Sequence, residues 1–257
     1  MLWSLIYHST VRNVRRSHRN PLMGLLITMS QSIIMLVAFY LMMDILGMRS
    51  NAIRGDFVLF LLTGIFLFMA HNKAVGAVMG AEGPTSPMMK HATMNTVVSI
   101  AAAALAALYT QILSMAVILF AVHVAWHPVE IYDPPGLILP VVMAWFSGVA
   151  IGLVLMALKP WAPGLTGIIA NIYRRANMIC SGKMFVANNL GWKVHLFSWN
   201  PLFHVIDQAR GAAFINYNPH FTTIWYPIWL SLALLAIGMM GEFYTRKHAS
   251  LSWGAGK

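Results

Sequence analysis

Few residues in this chain could do chemistry. Its seven acids are Asp44, Asp56, Glu82, Glu130, Asp133, Asp207 and Glu242, and none joins another in the close carboxylate pair that acid–base catalysis uses. His123 and His127 are four residues apart and would share a helical face. They lack a nearby third ligand for a metal, so a structural role at the edge of an apolar stretch is expected. Cys180 is the single cysteine, which excludes an internal disulfide framework or a cysteine zinc cluster. The closing WGAGK has the ending of a phosphate loop, but that loop needs Gly five residues before its Gly-Lys pair, and position 251 is Leu. No nucleotide site, bound cofactor, metal or catalytic centre is therefore expected.

The informative charges stand in unusual places. Arg174, Arg175 and Lys183 fall within 164–188, a segment long enough to cross a bilayer. A cation in hydrocarbon costs about 2.5–3.5 kcal/mol on insertion scales, so such residues face an interior or a wet cavity. There they would line a route for anionic or polar cargo. Alternatively, the span starts near Ala176 and both arginines mark the membrane surface. Farther along, Asn200 suits a helix cap and Pro201 a first turn. A helix over 202–214 then sets Asp207 and Arg210 at i,i+3, where they can pair.

Composition defines what must hold these residues. Of 257 residues, 59% are hydrophobic and 9% charged, against about 25% charged in a soluble domain. So little charge cannot solvate a globule of this size, and so many apolar residues exclude disorder. The chain is expected to be an all-α integral membrane protein forming one domain over 1–257. Six spans are predicted at 21–43, 57–79, 96–122, 137–158, 164–188 and 223–241, each near the ~20 residues a bilayer demands.

The net charge of +10 reports topology rather than nucleic acid. Ten of the 17 Lys and Arg fall on the side that carries both termini, four fall on the other, and three lie within 164–188. The positive-inside rule puts both termini in the cytoplasm. Trp3, Tyr7, Val11 and Val14 at helical spacing, with Arg12, Arg15, Arg16 and Arg19 largely on another face, make 1–20 a basic amphipathic helix for the cytoplasmic interface. Its apolar residues precede the basic cluster, unlike a cleavable signal.

Two connections are unusual. The 71–95 stretch is too long for a tight turn and is broken by Gly83-Pro84 and Ser86-Pro87, leaving short pieces that could dock a partner. The 189–222 stretch is too short to cross and return, and too apolar for an ordinary loop. A re-entrant segment on the outer face is expected, since non-helical backbone at membrane depth needs protein or water beside it. Trp192, Phe197, Trp199, Phe203, Tyr217 and Phe221 would give it an aromatic lining, suited to sugar rings or to the interfacial belt.

This layout resembles the ABC-2 permeases, and within them the capsular and O-antigen polysaccharide exporters. The motif at 61–66 (LLTGIF) is similar to that subfamily's second-span motif, and Ser181-Gly182 to its fifth-span ending. Asn200-Pro201-Leu202 with His204, Asp207, Arg210 and Tyr217 is similar to its signature before the last span, with Asp207 where Glu is common. The resemblance implies a half-transporter in the bacterial inner membrane. Two copies of the chain would form a conduit for a lipid-linked glycan, and two ABC ATPase subunits would carry ATP and Mg. Ala77, Val78, Met79, Glu82, Pro84, Pro87, Lys90 and His91 would couple to that ATPase. Arg174, Arg175, Lys183, Trp192, Trp199, Phe203 and Tyr217 would border the path, and Asn200, Pro201, Asp207 and Arg210 would form the re-entrant signature. Periplasmic and outer-membrane export proteins would be further partners. Two other readings stay open: an ABC-2 exporter of a small lipophile or drug, and a membrane-embedded transferase.

Overall fold

The computed structural model describes residues 2–17, 21–45, 47, 53, 55–81, 83, 95–125 and 128–248. Among them there is no strand, and nine α-helices follow in order. They are α1 (Leu2–Ser17), α2 (Pro21–Ile45), α3 (Phe57–Met79), α4 (Thr96–Ala125), α5 (Ile138–Leu158), α6 (Pro163–Cys180), α7 (Val194–Phe197), α8 (Pro201–Ala213) and α9 (Trp225–His248). Of these, α2, α3, α4, α5 and α9 are long and apolar enough to cross a membrane. Prolines within the helices fall in first turns, at positions 21, 140, 163, 201 and 227, where the missing N–H costs no helical hydrogen bond.

The core forms around α3, which is buried on every side from Val58 to His71. A helix apolar all round belongs in an interior or a bilayer, and α3 is enclosed by α2, α4, α5, α6 and α8. Asp56 starts it by accepting the Val58 N–H at 2.8 Å. By contrast α2, α4 and α9 keep apolar side chains outward, among them Ile34, Phe120 and Met240.

Small residues set the helix directions. A Cβ on Gly148 would collide with the His71 carbonyl, and one on Gly152 would lie 2.9 Å from the Val75 carbonyl. Both contacts advance along the two helices together, so α3 and α5 run parallel at close approach. Gly238 meets Leu153, and Gly241 meets Ala157, in the same sense, so α9 is parallel to α5. The chain must therefore return between the end of α5 and the start of α9. That return begins with α6, whose Ala170 clusters with Val75 and Leu155 and whose Tyr173 reaches His71.

The segment 164–188 is not one continuous helix. α6 stops at Cys180, and Gly182 takes a left-handed φ of 76° that favours glycine and ends the helical run. Leu165, Ile168, Ile172 and Ile179 point outward while Thr166, Ala170 and Asn177 are buried, giving an amphipathic helix rather than an apolar one. α1 is helical as expected and lies mainly against α4. Ile6 is its buried contact, and Trp3, Tyr7 and Arg12 stay exposed. Arg19, Glu82, Pro84, Pro87, Lys90, His91 and His127 lie outside the described residues, as does the WGAGK tail.

Candidate functional site

One stripe of α3 receives the site. Phe60, Gly64 and Phe68 are spaced i, i+4, i+8 and so share a face. Gly64 supplies the gap: a Cβ there would come 2.8 Å from the Lys183 carbonyl oxygen and 3.0 Å from its Cα. The backbone of the 181–186 turn thus rests directly on α3. A Cβ on Gly182 would meet the Phe203 ring of α8 at 2.6 Å, so the turn is held between α3 and α8.

Arg210 of α8 closes this sandwich and is fully buried. Its Nη1 donates to the carbonyls of Gly182 (2.8 Å) and Phe185 (2.6 Å), and its Nη2 donates to the carbonyl of Lys183 (2.8 Å). The guanidinium carbon stands 4.0 Å from the centre of the Phe60 ring, a cation–π contact. A planar fork of fixed donors suits three carbonyls converging in one turn, as an ammonium would not. Lys183, 1% exposed, sends its Nζ over Phe68 of α3 at 3.7 Å and Phe39 of α2 at 4.5 Å. That nitrogen has no hydrogen-bond partner.

Asp207 faces a different way. Its two oxygens accept from the Tyr217 hydroxyl at 2.5 Å and the Thr222 hydroxyl at 2.7 Å, while Gln208 donates to Thr222 Oγ1 at 3.1 Å. Burial, reinforced by the Asp207 charge, raises Tyr217 above the usual phenol range, which keeps its hydroxyl a donor. The expected Asp207–Arg210 pairing is thus replaced by two separate tasks: the acid ties the 214–224 loop to α8, and the base ties α8 to the turn after α6. Asn200 caps α8 by accepting the Leu202 N–H at 3.0 Å and also donates to Asn177 of α6 at 2.6 Å. His204 accepts from Thr223 N–H at 3.1 Å and donates to the Ser198 carbonyl at 2.8 Å. Burial lowers its pKa from 6.5, in keeping with the neutral ring those two bonds require.

A second polar link fastens α6 to the core. His71 Nε2 accepts from Tyr173 at 2.7 Å, and its Nδ1 donates to Ser147 at 2.9 Å. Ser147 in turn donates to the Ala144 carbonyl at 3.1 Å, which fixes that tautomer.

The residues expected to border one path do not share one surface. Lys183, Phe203 and Tyr217 are buried in the junction, while Trp192 and Trp199 are 75% and 81% exposed. Arg174 is half-buried and bonds within its own helix, to the Ala170 carbonyl and Asn171; Arg175 is exposed. Ala77, Val78 and Met79 form the end of α3, with Val78 buried. Phe39, Phe60, Phe68 and Thr222 complete the site without having been singled out. The i, i+4, i+8 spacing of Phe60, Gly64 and Phe68 was the available signal, but in a helix apolar on all sides no face stands out. Among the described residues no three His, Cys, Asp or Glu come together for a metal, and His123 is occupied in accepting the Val129 N–H.

Chemically the arrangement is a joint. Its charges meet carbonyls, hydroxyls and rings that tie α3, α6, α8 and the loop before α9 into one body. Compared with known proteins, the chain matches no family model and no curated relative.

Proposed function

We propose that this chain is the membrane-spanning permease subunit of an ABC-2 type exporter, moving a lipid-linked polysaccharide of capsule or O-antigen kind across the bacterial inner membrane. One observation carries the reading. Of the three stretches whose residues resemble that subfamily, 61–66 lies more than a hundred residues before 181–182 and 200–217, and all three meet in one joint through Gly64, Gly182 and Arg210. A resemblance by chance in three unrelated stretches gives no reason for them to touch.

The helix directions support six crossings. With α3, α5 and α9 parallel, α6 and the turn after it carry the chain from the Met79 end of α3 back to Phe60. At ~1.5 Å per residue that distance is about 28 Å, close to the ~30 Å hydrocarbon core. The amphipathic character of α6 suits a helix with one side on the bundle and the other on lipid or a second copy. The α7–α8 element then forms the outer re-entrant cap, both termini are cytoplasmic, and the segment after Met79 docks on the ATPase. The cargo follows from the subfamily that the residues resemble; a small-lipophile exporter is the competing outcome.

The test is biochemical. The purified chain should hydrolyse no ATP by itself, and a photo-crosslinker at Met79 or Lys90 in native membranes should capture an ABC ATPase subunit. ATP turnover by the chain alone, or capture of periplasmic proteins only, contradicts the proposal.

A further inference from the structure

On the side of α3 opposite the Phe60–Gly64–Phe68 stripe, α1, α2, α3 and α4 enclose a cavity of about 690 Å³, within the range of small-ligand sites. Among the described residues, its lining holds two cations, Lys73 of α3 and Arg12 of α1, and no acid. Gln31, Thr28, Thr110 and Asn13 add hydrogen-bonding groups. The Lys73 ammonium is shut away from solvent and has no hydrogen-bond partner, a costly state for a charge. Its stem already lines the cavity, and four flexible carbons carry the head.

We infer that this cavity binds a phosphate group between Lys73 and Arg12, brought either by an anionic lipid headgroup or by free phosphate. An anion there gives the buried ammonium the partner it lacks. Basic pockets between membrane helices take phosphorylated headgroups by the same electrostatics. The surroundings suit a lipid. Leu26 of α2 and Val97 and Leu105 of α4 are exposed apolar side chains on the helices that frame the opening, where acyl chains could lie. Trp3 and Tyr7, exposed on α1, are residues of the membrane interface. The site does not depend on the cargo proposed above, nor on an ATPase partner.

Native mass spectrometry of the full chain with equimolar phosphatidylglycerol and phosphatidylcholine tests the first source. Thermal melting of the delipidated chain with inorganic phosphate tests the second. The wild type should retain phosphatidylglycerol preferentially, and Lys73→Gln and Arg12→Gln should each cut that preference about fivefold, as loss of one cation near an anionic headgroup predicts. Lys159→Gln, outside the cavity, should not change it. A rise in melting temperature with phosphate that Lys73→Gln abolishes, without lipid preference, assigns the phosphate to solution and upholds the site. If Lys73→Gln does not fold, the exposed Arg12→Gln decides both arms. Equal behaviour of wild type and variants in both arms overturns the inference.

Discussion

Arg210→Met should break the joint. The substitution keeps most of the buried volume but removes the donors to the carbonyls of Gly182, Lys183 and Phe185. A buried acceptor left alone costs about 1–3 kcal/mol; the Gly182 carbonyl keeps the Phe185 N–H at 3.4 Å, so two acceptors, Lys183 and Phe185, put the expected loss at about 2 kcal/mol or more. Melting of the detergent-purified protein should fall accordingly, and limited proteolysis should open 181–186 first. Arg210→Lys should rescue little, because one ammonium cannot reproduce a fork that serves three oxygens. A melting curve unchanged in Arg210→Met would show that the turn is held by packing alone.

Gly64→Leu should be nearly as damaging, through the opposite fault. A side chain at this position meets backbone: the Lys183 carbonyl oxygen at 2.8 Å and its Cα at 3.0 Å. Backbone cannot rotate aside as a side chain does, and overpacking of this kind costs about 1–3 kcal/mol or more. The turn would lift from α3, taking Lys183 off Phe68 and Arg210 off Phe60. Gly76→Ala is the control, since a Cβ there has nothing within 4 Å, and it should be neutral or stabilising by up to about 1 kcal/mol. If both glycine variants fold and melt alike, the close approach of the turn is not required.

Much of this fold was legible because a bilayer leaves few options. Long uncharged runs announced α2, α3, α4, α5 and α9, and the spacing of Trp3, Tyr7 and the arginines announced α1. Asn200-Pro201 placed the start of α8. The middle of the site was harder. Asp207 and Arg210 at i,i+3 suggested each other as partners, because sequence spacing reports which side chains can meet and not which better partners tertiary structure brings. Three carbonyls for the base and two hydroxyls for the acid outcompeted the pair. Likewise, 164–188, apolar in pieces between its cations, counts in the sequence as one span, whereas the left-handed Gly182 ends the helix early. The turn that follows is stable only because Gly64, more than a hundred residues earlier, leaves room for it. No local pattern encodes such a match. The charge pattern was informative in a way that shifted. Lys183 proved buried as its position in an apolar segment implied, while Arg174 and Arg175 remain nearer the surface of α6. A second buried and unpartnered ammonium, that of Lys73, counts in the sequence only among the ten charges on the side of the termini.

Transport measures most directly whether the joint belongs to the proposed ATP-driven conduit. Proteoliposomes holding the chain with the proposed ABC ATPase subunit should move a lipid-linked glycan across the bilayer only when ATP and Mg are supplied. Omitting the ATPase should stop movement altogether. Failure of the paired subunits to move any lipid-linked glycan with ATP, or equal movement by the chain without an ATPase, would contradict the proposal.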